Sequence, residues 1–312
     1  MVDLVVASFN LHAGVDGWAR PYDVVGACRR IDADVLVLEE NWAPDNGRSL
    51  ASIVADELGY DCTEVALARG RLRHPLAPPR ADGGPASFGP RRAWRRSQRV
   101  WPFSLEGRRR APGDCGEGAA AAGPPPHPAV EGSWGLALLS RLRCGESEVL
   151  EVAGLRRDRT RRAAVLTPVV PGADRGGEAA VLLVAGTHLG HLHHGSLRQM
   201  RGLAADLSAS RGPAVVLGDL NCWGPLVLAM MPGWRRAVRG RTWPARRPHS
   251  QVDHILVRGG VRVLHAEVLA PLGSDHRAVR ARIALADAPA APARRARVGS
   301  SQCLTSDEEE PP

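Results

Sequence analysis

Val215-Val216-Leu217-Gly218-Asp219-Leu220-Asn221 sets the pattern from which the rest of this chain is read. With Ala214 it opens as a short, continuous apolar run. Such a run is too short for a typical helix and has no polar alternate, as expected of a strand covered on both faces. It stops at Gly218, and a carboxylate and an amide follow at once. The preceding stretch, 195–210, carries Leu197, Met200, Ala204 and Leu207 at helical spacing, so a helix feeds this strand.

The same arrangement recurs on either side. Val2 to Asn10 is a β-rich apolar run ending in an amide. Val35-Leu36-Val37-Leu38 ends in Glu39-Glu40. Leu182 to Thr187 ends at His188. Asp253 stands at the head of a run reaching Val257, and Asp275-His276 precedes a run from Ala278 to Leu285. Further strands are predicted at 134–140, 148–152, 163–170 and 261–269, with helices over 22–31 and about 50–58. Strand–helix–strand–helix opens the chain, an α/β signature. Many later strands are sequential neighbours, as in antiparallel or mixed sheets. The architecture predicted is two mixed β-sheets packed face to face with helices outside, a four-layer α/β sandwich. Polar groups at neighbouring strand ends then converge on one pocket.

The chain has 312 residues, of which 44% are hydrophobic and 4% aromatic, so aliphatic side chains must fill the core. From about 70 to 131 Pro, Gly, Ala and Arg dominate. That stretch is expected to be a disordered insertion within a single domain spanning 1–286. Residues 287–312 are expected to be a disordered tail. The insertion interleaves Arg91, Arg92, Arg95, Arg96 and Arg99 with Trp94 and Trp101, a pattern able to bind single-stranded nucleic acid, although composition alone accounts for it.

The net charge is +8 and no lysine is present. A GC-rich coding sequence explains the arginine bias; an arginine-covered surface also suits phosphates. The six cysteines include no C-x-x-C pair, which fits a reducing compartment. The N-terminus reads as a strand and not as a signal peptide. No apolar run is long enough for a membrane span. The expectation is a cytoplasmic monomer.

Each polar strand end has an ordinary reading when taken alone. Glu39-Glu40 would be a solvated strand end, and Asp219 and Asn221 turn residues. His188 would be a satisfied structural histidine, and Asp253-His254 a surface pair. Glu39 keeps that reading. His191, His193 and His194 match no closed zinc spacing and read as a polar loop. Gln199, on the following helix, is a weaker candidate to brace the His188 loop.

Taken in order, Ser8-Phe9-Asn10-Leu11-His12, Leu38-Glu39-Glu40, Gly135-Leu136-Ala137-Leu138-Leu139-Ser140-Arg141, Gly186-Thr187-His188-Leu189, Gly218-Asp219-Leu220-Asn221, Val252-Asp253-His254-Ile255 and Ser274-Asp275-His276 resemble the motifs of the endonuclease/exonuclease/phosphatase superfamily. The resemblance covers roughly 1–66 and 132–286, and G-D-x-N and S-D-H are its specific parts. It implies a Mg²⁺-dependent phosphoesterase, with Mn²⁺ as a substitute. Glu40 would be the principal metal ligand, supported directly or through water by Asn10 and Asp275. Asp219 would orient or deprotonate the attacking water. His188 and Asn221 would donate to phosphoryl oxygens, and Asp253 would hold His276 as an imidazolium facing the phosphate. Asp219 and His276 both remain open as the base. The resemblance also makes Arg162, just ahead of a strand, a weaker candidate close to the site. His12 stands where the abasic-site repair branch usually has Asp, and His188 where it commonly has Tyr. The substrate favoured is DNA or RNA. The alternatives are a small or lipid phosphoester, or an inactive binding module of the same fold.

Overall fold

The computed structural model describes residues 2–73, 103–105, 129–153, 161–171, 180–192, 195–210 and 212–285. One seven-stranded sheet runs β13-β14-β1-β2-β5-β3-β4. Its strands are β1 (Val2–Asn10), β2 (Val35–Pro44), β3 (Asp61–Arg73), β4 (Phe103–Leu105), β5 (Ala129–Ser140), β13 (Val261–Val268) and β14 (Val279–Leu285). The second runs β11-β12-β10-β9-β8-β6, and β7 also pairs with β8. It is built from β6 (Arg143–Cys144), β7 (Glu148–Glu151), β8 (Ala163–Val170), β9 (Leu182–His188), β10 (Ala214–Asp219), β11 (Arg235–Arg236) and β12 (Asp253–Arg258). Each sheet is mixed: β1 and β2 are parallel, as are β9 and β10, while the other pairings are antiparallel.

Side-chain alternation explains why the strands are apolar throughout. Val35 and Val37 face the other sheet, where Val184, Val215, Leu217 and Ile255 belong to the same core. Leu36 and Leu38 face the opposite way, onto α1 (Val24–Ile31) and α2 (Leu50–Leu58), through Ala27, Cys28, Ile31 and Val54. Ala185, Val216 and Leu256 pack outward on α3 (Ser196–Leu207) and α4 (Gly224–Met230), through Met200, Leu203 and Val227. Three apolar layers therefore separate four structural layers. Local chemistry fixes two of the helices. Asp23 caps α1 by accepting from Gly26 N–H at 2.7 Å, and Ser49 caps α2 by accepting from Ser52 N–H at 2.9 Å. Gly59 closes α2 at φ +70°.

The expected strands and helices all form, with boundaries moved by a few residues, and the sandwich is as predicted. Additional elements are β3, β4, the two-residue strands β6 and β11, and α4. β3 continues to Arg73 and β5 begins at Ala129, so the margins of the segment expected to be disordered are paired strands, and β4 lies inside it. The rest of that segment, including the Arg/Trp stretch, and the tail lie outside the described residues. Among the described residues no helix is long and apolar enough to cross a membrane.

Candidate active site

The polar strand ends obey the same alternation as the core. In β1 the inward positions run Leu4, Val6, Ser8, Asn10, and in β9 they run Leu182, Val184, Gly186, His188. In β10 they run Val215, Leu217, Asp219; in β12, read backward, Val257, Ile255, Asp253. Each strand's last inward residue is thus a site residue. Register then aligns them: Asp219 lies opposite His188 on one side and Asp253 on the other. The slot between the sheets ends in a buried polar cluster.

Asp219 is the hub. Its Oδ2 accepts from Asn10 Nδ2 at 3.3 Å and lies 3.6 Å from His188 Nε2 and 3.9 Å from His276 Nε2. Its Oδ1 accepts from Asn221 N–H at 2.9 Å. Gly218 permits this corner. At φ +150°, a Cβ there would meet the Thr187 carbonyl oxygen at 1.8 Å. Burial, then the Asp253 charge, raises the Asp219 carboxyl to about 7, against the lowering pull of His276 and the Asn221 amide.

His276 Nδ1 lies 3.0 Å from both oxygens of Asp253. Burial alone would lower this imidazole, but Asp253, Asp275 and Asp219 override it and hold it well above its ordinary value. Ser274 braces the turn: its Oγ donates to the Asn10 carbonyl at 2.7 Å and accepts from His276 N–H at 3.2 Å. His188 goes the other way. Burial, then Arg162 and neighbouring histidines, lower it, so it is neutral. Its ring packs on Trp134 at 5.1 Å between centroids, and Arg162 lies over that indole and donates to the His188 carbonyl at 3.5 Å. Asn221 donates to the Leu189 carbonyl at 3.0 Å and stands 3.3 Å from His188 Nε2.

Glu40 reaches the cluster through a β-bulge. Pairing of β2 with β5 shifts register between Glu39 and Asn41, and Glu40 takes φ +52°. Its Oε1 accepts from Asn10 Nδ2 at 3.3 Å. Burial raises its carboxyl, opposed by His12 and His276. Asp275 Oδ2 accepts from Trp243 Nε1 at 3.3 Å. Burial would raise Asp275, but His12 and His276 hold it below its usual value.

Two atoms test whether a metal fits. Glu40 Oε2 and Asp275 Oδ1 are buried and accept no hydrogen bond. His12 Nδ1 lies 3.6 Å from the latter. Unsatisfied buried carboxylate oxygens are costly, and hard anionic oxygens are what Mg²⁺ prefers. The donor set fits a hard divalent cation. Asp219, Asp253 and His276 also bring ligand-type atoms within 4.8 Å of one another. That trio is better read as hydrogen-bonded. A metal needs the neutral imidazole lone pair, whereas His276 is held protonated with Nδ1 against Asp253.

All eight predicted site residues, Asn10, Glu40, His188, Asp219, Asn221, Asp253, Asp275 and His276, join this network. Asn10 Oδ1 accepts from His12 N–H at 3.0 Å, so its amide faces Glu40 and Asp219 as a donor. Glu39 requires a correction. It is fully buried, not a solvated strand end; it faces Ser8, which donates to Oε1 at 2.7 Å, and burial holds its carboxyl well above the usual range. Gln199 accepts from Gly190 N–H at 2.8 Å, bracing the loop after His188. His191 Nδ1 lies 2.7 Å from Asn221 Oδ1, and His193 and His194 lie outside the described residues. Sequence reading missed His12, Trp134, Trp243 and Thr242, whose Oγ1 accepts from Val252 and Asp253 N–H at 3.1 and 3.2 Å. Only His12, two residues beyond Asn10, carried a usable signal.

Comparison with known proteins agrees with the fold. A structure of an endonuclease/exonuclease/phosphatase from Beutenbergia cavernae DSM 12333 has 19% identity and a TM-score of 0.57, covering 93% of this chain and 74% of that one. The human Nocturnin catalytic domain with bound sulfate anion has 15% identity and a TM-score of 0.55, covering 91% and 94%. D. rerio TDP2 complexed with single strand DNA product has 14% identity and a TM-score of 0.52, covering 90% and 99%. At such identities the likeness is one of fold. No curated protein matches by sequence. The model of the Endonuclease/Exonuclease/phosphatase family matches residues 7–276, and the chain belongs to that family.

Proposed function

We propose that this protein is a Mg²⁺-dependent phosphodiesterase acting on nucleic acid. The observation that carries the hydrolytic reading is the opposed protonation of neighbouring groups. Asp219, raised to about 7, faces His276, which Asp253 keeps protonated. A carboxylate poised near neutrality beside a fixed imidazolium is an acid–base arrangement in a buried, polar pocket.

Glu40 and Asp275 would hold the cation through their unpartnered oxygens, with Asn10 orienting Glu40. Once bound, Mg²⁺ would supply charge stabilisation at a phosphate oxygen and at the leaving oxygen. Asp219 Oδ2 takes the proton of the attacking water as the new oxygen–phosphorus bond forms and the ester bond breaks. His276 cannot take it, because it already carries its proton, so it offers Nε2–H to the phosphoryl group instead. His188, neutral, donates a second hydrogen bond when its proton sits on Nε2, and Asn221 Nδ2, whose other hydrogen goes to the Leu189 carbonyl, a third. Donors fixed before the reaction stabilise developing charge without reorganising.

Nucleic acid is favoured as substrate by the arginine-rich surface and by the relative whose structure holds a single strand DNA product. The test is hydrolysis of bis-p-nitrophenyl phosphate and of labelled DNA and RNA with Mg²⁺ and Mn²⁺. Turnover should disappear in Asp219→Ala and His276→Ala. Wild-type protein inert with every divalent metal would refute the enzyme reading. Turnover of lipid or sugar phosphates, with none of oligonucleotides, would refute the substrate.

A further inference from the structure

Between Met231 and Val252 the chain carries six arginines and no carboxylate. Arg239, Arg241, Arg246 and Arg247 are exposed. Arg246 has an unusual neighbour: its guanidinium carbon lies 4.1 Å from the centroid of the Trp18 ring, which belongs to the loop after β1. Trp18 is itself 45% exposed. Asp16, the nearest acid in sequence, is engaged by Arg20 at 2.6 and 2.9 Å. Among the described residues Arg246 makes no ion pair. An arginine seated on an indole keeps its in-plane N–H groups available while its orientation is fixed, which suits bidentate capture of a phosphate.

Both loops lie against Asp275. Ala245 N–H donates to the Asp275 carbonyl at 2.6 Å, and Trp243 Nε1 donates to its side chain. From the other loop, a Cβ on Gly17 would lie 3.4 Å from Asp275 Cβ. The Trp18–Arg246 stack therefore adjoins the carboxylate assigned to the metal. It offers a half-exposed ring beside two cations, Arg246 at 4.1 Å and the Asp16-paired Arg20 at 5.2 Å from its centroid, and Arg247 adds a third next in sequence. A single strand presents bases beside phosphates in the same way. A small phosphomonoester has neither a second phosphate nor a base to use them.

We propose that Trp18 and Arg246 form a subsite that holds the phosphate and base flanking the scissile phosphate of a single-stranded nucleic acid. This rests on the nucleic-acid reading above. The test is fluorescence anisotropy of a fluorescein-labelled oligothymidylate with the full chain in EDTA, over a salt series, so that binding is read without hydrolysis. Trp18→Ala should weaken binding by about ten-fold, in line with loss of one base stack. Arg246→Ala should lower the slope of log K against log salt by about 0.7, the value for one phosphate contact on a single strand. Trp18→Phe and Arg246→Lys should fall between wild type and alanine. Arg143→Ala, at the opposite edge of the second sheet from β11, should change neither affinity nor slope.

Wild-type protein that fails to bind, or alanine variants that bind as wild type does, would overturn the subsite. So would an equal loss in Arg143→Ala, which would mean that only net charge matters. Loss of binding to phosphatidylserine vesicles in Trp18→Ala, with oligonucleotide binding intact, would also overturn it. Bis-p-nitrophenyl phosphate turnover is scored separately. Its absence alongside intact, Trp18-dependent binding would refute the hydrolytic reading and leave the subsite standing.

Discussion

Alanine at Gly186 would put a methyl carbon 2.9 Å from Val37 Cγ2 and 3.1 Å from Cγ1. Gly186 is in β9 and Val37 in β2, so this methyl would wedge the two sheets apart near the site. Val37 is fully buried and β-branched, with little freedom to turn away. Overpacking of this kind costs about 1–3 kcal/mol. In a domain of this size each kcal/mol lowers Tm by about 2–4 °C, so a fall of roughly 2–12 °C is expected. Val37→Ala alone removes buried apolar surface and should cost about 1.5–3 kcal/mol. The double variant lets the new methyl occupy the vacated space. It should be no less stable than Val37→Ala, with a coupling energy of about 1 kcal/mol or more. The assay is urea denaturation of all four proteins by circular dichroism, with constant m values as the check on two-state behaviour. His188 lies two residues beyond Gly186, and Glu40 three beyond Val37. Phosphodiester turnover should therefore fall in Gly186→Ala and recover in the double variant. Strict additivity, within about 0.5 kcal/mol, would refute the contact and the claim that sheet spacing sets the site.

Asp219→Asn tests the buried charge. The folded carboxyl titrates at about 7, above its unfolded value, so between about pH 4 and 7 the native state holds a proton that the unfolded chain releases. Wild-type stability contributed by this group therefore declines as pH rises through that window. In chelator the asparagine variant should gain several degrees in Tm relative to wild type at pH 8, about a third as much at pH 5 and nothing at about pH 3.5, while losing turnover; a gain independent of pH would contradict the assignment. Glu40→Gln should weaken Mg²⁺ binding, measured by calorimetry, by at least about ten-fold, since it removes the ligand charge that a hard cation requires; unchanged affinity would move the metal elsewhere. Cys28 and Cys222 are buried, and burial pushes their thiols to about 12 and about 11, so both should resist a disulfide reagent at pH 8 until denaturant is added. Labelling in native buffer would show that α1 or the turn after β10 opens readily.

Much of the site was legible in sequence because it obeys local rules. An apolar run fixes a strand, alternation fixes which residues face inward, and Asn10, His188, Asp219 and Asp253 occupy the next inward place after the run. What escaped depends on partners distant in the chain. The Arg69–Arg73 end of β3 reads as low complexity, yet it pairs with Ala129–Ser133. Arg69 also binds Asp45 at 2.6 Å, and Arg71 binds Glu131. Glu39 looks exposed by residue type, and the Ser8 hydroxyl that satisfies one of its oxygens comes from another strand. Trp243 gave no signal, because its role arises where a long connection crosses Asp275.

The first strand of the fold completes its ladder only with the last. β1 lies between β2 and β14, with Val2 opposite Leu285 and Ser8 opposite Val279. A chain still emerging from the ribosome can form β2 and both early helices, but one margin of β1 stays bare until Val279 has been made. Asp275 and His276 arrive just ahead of that strand. A chain without β14 thus holds neither a finished sheet nor the full cluster of polar strand ends.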